Sequence, residues 1–303
     1  MPLLFASLIL YSSNLIFTII GLFVSIFVLS MMIYRRTITR TDRLDYLLIA
    51  NSYISMIVAS PLFMIMNIQA IYGYLYPNSS FEGWWCSIKS YALYINGSVY
   101  FYSFLLQAIY RCCRIVFHTR RSLRSFRLYV ILSFVQWIIA CVQVLPSLFI
   151  GDLKYLPNDY YCQLSPINLR STIICLSLIF LIPYFSTIFC YIFTMYYVRM
   201  RRVALVTLRQ NFKLRRDITI LTHLAILLTF IITVAMPHIF MPIIYVLFGY
   251  APLWASSFEW FTTLFSLVSV AIIQIFINPH LKKLFTRTNR VNIRTIPVQT
   301  VTI

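Results

Sequence analysis

Apolar residues run in long uninterrupted stretches along this chain, broken by short clusters of arginine and lysine. Residues 1–34 contain no Lys, Arg, Asp or Glu, and neither do 46–81, 90–110, 128–151 or 171–198. Residues 218–281 hold a single charged side chain, Glu259. A helix needs about 20 apolar residues to cross roughly 30 Å of hydrocarbon. The pattern therefore predicts spans at about Leu10–Ile33, Leu44–Ile71, 90–110, 128–151 and 171–198. The stretch 218–281 is too long for one helix and suits two, with Gly249-Tyr250-Ala251-Pro252 as the turn between them. Barrel strands would alternate apolar and polar residues, and these stretches do not. The expected fold class is an all-α membrane protein: a seven-transmembrane helix bundle.

Composition sharpens this. Of 303 residues 61% are hydrophobic and 11% charged, where soluble domains carry about a quarter charged residues. Such a chain cannot cover itself with polar surface, which excludes a soluble enzyme, a disordered chain and a nucleic-acid-binding domain. The first apolar run has no basic n-region and is too long for a cleaved signal. It is expected to be a retained helix with its N-terminus outside.

The formal net charge of +18 is not evenly spread. Of the 25 basic residues, all but Lys89, Lys154 and Arg170 fall after the first span, between the third and fourth, between the fifth and sixth, or after the seventh. Seven spans put all four segments on one face. Short basic loops stay in the cytoplasm, so the C-terminus is expected inside. Orientation and attraction to anionic lipid account for most of this charge; RNA or DNA is not an expected partner.

Of the seven cysteines, Cys141, Cys175 and Cys190 fall inside spans, and Cys112 and Cys113 at the cytoplasmic end of the third. Cys86 and Cys162 belong to the oxidising outer face, so they are expected to form a disulfide that staples the loop 151–168 over the bundle mouth. Asn78 heads a glycosylation sequon in the first outer loop, whereas Asn96-Gly97-Ser98 matches the same pattern inside a span. No nucleophile motif, paired carboxylates or zinc-like His/Cys spacing stands out. No catalytic residue, metal site or cofactor is therefore expected. Acids near the midplane would mark a transporter, and the spans lack them.

In order and spacing, several residues resemble the rhodopsin-like G-protein-coupled receptors, over about residues 10–288. Cys86 precedes Arg111 by 25 residues, the family's spacing between its disulfide Cys and the Arg of Asp-Arg-Tyr. Trp137 and Pro146 sit in the fourth span, and Pro183 precedes Tyr191 by eight residues in the fifth. Pro237 matches the proline that kinks the sixth helix, and Asn278 to Phe285 look like the start of a short amphipathic eighth helix. The division implied is an outer N-terminus 1–9, a bundle 10–277, an eighth helix 278–288 and a cytoplasmic tail 289–303. The chain also departs from the family. The Arg motif reads Tyr110-Arg111-Cys112, Met56 stands at the acidic position of the second helix, and Leu22 replaces the first-helix Asn. Val270 to Gln274 replace Asn-Pro-x-x-Tyr, and Ala235 replaces the sixth-helix Trp. The family's buried sodium site is thus expected to be lost.

The resemblance implies a plasma-membrane receptor. It would bind an extracellular ligand and activate a heterotrimeric G protein as the sixth helix moves outward. A non-signalling heptahelical scaffold or transporter is the alternative. The implied switch residues are Arg111, an acid at the inner end of the sixth helix, Asp217, and Tyr191 pointing inward near Arg111. Asp217 is equally well read as a cap of that helix. Leu93 stands where amine receptors carry Asp, and residues 260–279 lack the Lys that retinal needs. Leu93, Tyr94, Gln143, His238, Glu259 and Trp260 are the candidate ligand contacts, and a peptide or small neutral molecule the expected ligand.

Overall fold

The computed structural model describes residues 2–34, 43–117, 120–164, 168–201, most of 218–248, and 254–277. Its helices are α1 (Pro2–Tyr34), α2 (Arg43–Leu75), α3 (Trp84–Val116), α4 (Phe126–Phe149), α5 (Leu169–Leu176), α6 (Ile182–Arg201), α7 (Leu221–Val234), α8 (Pro237–Phe248) and α9 (Ala255–Ile277). A hairpin of β1 (Leu153–Leu156) and β2 (Tyr161–Leu164) follows α4. Five helical runs are long and apolar enough to cross a bilayer: α1, α2, α4, α5 with α6, and α9. The chain is thus a mostly helical, multi-pass membrane protein with one small antiparallel ribbon. The segment expected to form an eighth amphipathic helix, 278–288, lies outside the described residues.

The helix α1 runs 33 residues and starts at Pro2, eight positions before the expected span. Residues 3–9 are apolar but for Ser7, and proline is well suited to a first turn, where its missing N–H would have no partner. At 1.5 Å per residue the helix is about 50 Å long, longer than the hydrocarbon is thick. Its inward face is Ser7, Tyr11, Asn14, Thr18, Gly21, Ser25, Val28 and Met32, all buried at alternating three- and four-residue steps. Ile9, Ile16, Phe23 and Phe27 point outward and are exposed. Small and polar residues inside, large apolar ones outside, is the arrangement expected where lipid is the solvent. An added Cβ on Gly21 would lie 3.0 Å from the Val268 side chain, so α1 and α9 approach closely there.

Helix α3 is the axis of the bundle, packing on α2, α4 and α6 and under both strands. A buried amide network ties α2, α3 and α4. Asn51 donates to Gln136 (3.2 Å), Trp137 donates to Asn51 (3.2 Å), and Gln136 donates to the Val99 carbonyl (2.6 Å). Tyr53 of α2 donates to the Ala271 carbonyl of α9 at 2.8 Å. Pro183 lies just beyond a single π-helical turn, Ser177–Leu181, that joins α5 to α6. Proline lacks an N–H and its ring crowds the carbonyl four residues earlier; a widened turn accommodates both. Pro237 opens α8 directly after a turn at Met236.

Candidate functional site

Helix α4 stops at Gly151, whose φ of 79° is the left-handed conformation that terminates helices. The chain then folds back as the hairpin, with Leu153 opposite Leu164 and Tyr155 opposite Cys162. Cys162 is bonded to Cys86 at the start of α3, Cα atoms 5.5 Å apart. All four β2 residues are buried, so this strand sits among the helix ends rather than above them.

Each neighbouring helix holds the hairpin. Tyr11 of α1 donates to the Asp159 carboxylate at 3.0 Å. Tyr161 lies edge-on to Tyr11 and shares a hydrogen bond with Ser256 of α9. Trp260 of α9 donates to Gln163 at 3.0 Å, and the Leu164 N–H reaches the Tyr94 hydroxyl of α3 at 3.5 Å. Asp152 at the hairpin base accepts from Asn168 and Ser171, fixing the start of α5. The Tyr160 ring lies against Gly73 of α2, where any Cβ would overlap it, at 2.0 Å from the nearest ring atom. Burial pushes the Asp159 carboxyl up to about 6, although hydrogen bonds from Tyr11 and Ser256 pull the other way.

Beneath β2 lies a cavity with about 980 Å³ of empty space, mouth included, walled by α2, α3, α5, the π turn and α9. Phe63, Phe101, Phe180 and Leu267 make it largely apolar; Phe63 packs edge-on to Trp260 (5.4 Å) and Phe101 to Phe180 (4.6 Å). Of the expected ligand contacts, Leu93, Tyr94, Glu259 and Trp260 line this cavity. Gln143 does not: its amide donates to Ser98 and accepts from Tyr102, between α3 and α4. The side chain of His238 lies outside the described residues. Met56, at the family's acidic position, lines the cavity instead. Sequence reasoning missed Asn96, Gly97, Tyr100, Gln163 and Thr172. Leu93, Asn96, Gly97 and Tyr100 recur at helical spacing on α3, a periodicity that could have found them. Asn78 is exposed in the turn after α2.

At the opposite end of α3 sits an ion-pair cluster. Arg111 is 2% exposed and contacts the Asp45 carboxylate of α2 at 3.2 Å, while Arg114 reaches its other oxygen at 3.3 Å. Arg114 also donates to the Tyr110 hydroxyl at 3.4 Å, and Tyr110 packs edge-on against Tyr129 of α4. Asp45 lies in the first turn of α2, where the helix dipole favours an acid. In the sequence it follows the basic cluster Arg35 to Arg43, and nothing local marks it as a partner of α3. Asp217, the expected partner of Arg111, lies outside the described residues, and Tyr191 is half-buried on α6. Among the described residues no cluster of three metal-binding side chains occurs.

Residues 37–281 match the family model of the 7 transmembrane receptor (rhodopsin family). Comparison with curated proteins gives no match.

Proposed function

From its membership of the rhodopsin family of seven-transmembrane receptors, which the match over most of its length establishes, we propose that the chain is a ligand-operated receptor for a heterotrimeric G protein. Its seven spans comprise the five apolar runs, α3, and α7 with α8. The N-terminus and hairpin face outside; the tail and the four basic segments face the cytosol. The Cys86–Cys162 bond supports this orientation, because disulfides persist on the oxidising side.

One observation carries the reading. A single helix, α3, lines a covered cavity near one end and presents a buried, ion-paired arginine at the other, 25 residues from its disulfide. That is about 37 Å along the axis. A ligand in the cavity that prefers one packing of α3 against its neighbours shifts the population of the Arg111 end. It does so only by its differential affinity for the two states. Asp45 is the acid that holds Arg111 in the resting state, and Tyr191 and Asp217 are the further switch residues.

The test is nucleotide exchange on purified G proteins by the full-length receptor in lipid nanodiscs, with Arg111→Ala as control. Wild type is expected to stimulate exchange and Arg111→Ala to fail. Equal behaviour of the two across G-protein subtypes and ligand pools would favour a non-signalling scaffold instead.

A further inference from the structure

The cavity wall on α3 carries two polar groups that no described residue satisfies. Asn96 is 4% exposed; its amide nitrogen donates to the Ala92 carbonyl at 2.7 Å, leaving its oxygen without a partner among the described residues. Tyr100 is 3% exposed, and its hydroxyl likewise has no partner among them. The two residues stand one turn apart, so they share a helix face with about 6 Å between them. Buried polar groups are paired in nearly all native structures. Two unpaired polar groups one turn apart on residues that line a cavity point to a water or a ligand between them.

Their chemistry is specific. Asn96 offers its unpaired carbonyl as an acceptor, one N–H of its amide being held by the Ala92 carbonyl, while Tyr100 can donate. A ligand hydroxyl satisfies both at once, donating to Asn96 and accepting from Tyr100. A ketone can accept from Tyr100 but leaves the Asn96 carbonyl unpaired. The remaining wall is mostly aromatic and aliphatic, and no Lys, Arg or His is among the described lining residues. An anion would be desolvated there without a counter-charge. Glu259 belongs to the outer wall, where it faces Asp159 of the hairpin. Access for a bulky peptide is closed by β2, bonded to Trp260 and Tyr94 and stapled to α3.

We propose that this cavity takes a small, uncharged, largely apolar alcohol, its hydroxyl bridging the Asn96 carbonyl and the Tyr100 phenol. The proposal rests on reading the cavity as the receptor's ligand site.

Gly97 supplies the control. It lines the same wall, and a Cβ added there meets nothing within 4 Å. Gly97→Leu therefore grows into the cavity, and replacing a mid-helix glycine also favours the helix. The experiment measures the thermal unfolding shift of the full-length protein in nanodiscs with octanol, nonanone, octanoate and octylamine. Effects of these molecules on the bilayer appear equally in Gly97→Leu and subtract out. Octanol is expected to stabilise wild type above Gly97→Leu, with nonanone weaker and the two ions without specific effect. Tyr100→Phe is expected to weaken both neutral probes by about tenfold, while Asn96→Leu weakens octanol and spares nonanone. A preference for octylamine or octanoate that Gly97→Leu abolishes would overturn the alcohol and keep the cavity as a ligand site. If no probe separates wild type from Gly97→Leu, the two groups hold only water and the proposal fails. G-protein exchange by the same preparation then decides separately whether the receptor reading survives.

Discussion

Tyr11 and Asp159 are hydrogen-bonded at 3.0 Å although 148 residues separate them. The bond joins the first helix to the tip of the hairpin, and the carboxylate it serves is buried among Tyr11, Tyr74, Tyr161, Ser256 and Glu259. Burial raises this carboxyl from 3.8 to about 6. A group whose folded value is raised binds its proton more tightly folded than unfolded. Stability is therefore gained as pH falls through the folded value and lost as pH rises through it. The window runs from about 6 down to about 4, and roughly 3 kcal/mol separates its ends. The melting temperature of the full-length protein is expected to rise on acidification across this window, and Asp159→Asn to flatten the rise.

Asp45 is the second buried carboxylate with a defined task, holding Arg111 and Arg114 at once. Removing one partner of a buried pair strands the other's charge, at a cost of about 3–5 kcal/mol. Asp45→Ala is expected to lower stability by that order in denaturant titration. Asp45→Asn, which keeps the shape and two lone pairs, is expected to lose less and to raise basal nucleotide exchange.

The Cys86–Cys162 bond closes a long loop, with a sequence separation of 76. Loop-closure entropy for that length corresponds to about 4 kcal/mol. Cys86→Ser with Cys162→Ser is expected to lower the melting temperature by several degrees. Mild reductant should do the same to wild type and nothing further to the double variant.

Gly73 and Tyr160 are complementary in shape: the glycine leaves the space the ring fills. Gly73→Ala forces the ring out, and overpacking of this kind costs about 1–3 kcal/mol. Combining it with Tyr160→Ala is expected to cost less than the sum of the two single changes, a coupling readable in a double-mutant cycle.

The apolar runs made the membrane class and most helix positions legible, because burying backbone in lipid demands long uncharged helices. The pairing of Cys86 with Cys162 was legible from compartment alone. Which face of each helix turns inward was not. In α1 half of the inward positions are polar, Ser7, Asn14, Thr18 and Ser25, while large apolar residues face outward, so a reading that seeks hydrophobic residues for the core is drawn to the wrong face. Gln143 misled for a related reason: a polar side chain at the expected depth bonded to Ser98 rather than facing the cavity. Asp45 stands beside Arg40 and Arg43 in the chain, and its pairing with Arg111 and Arg114 across α2 and α3 has no signature in local sequence.

The hairpin's fastenings lie at both ends of the chain. Tyr11 comes near its start, while Ser256 and Trp260 come from its last described helix. During synthesis β2 leaves the ribosome well before α9 exists. Until that helix is inserted, the Gln163 amide lacks its Trp260 partner and the Tyr161 phenol has Tyr11 but not Ser256. The cap is thus fully fastened last, and a nascent chain halted before residue 255 holds its roof by the disulfide and the first three helices alone.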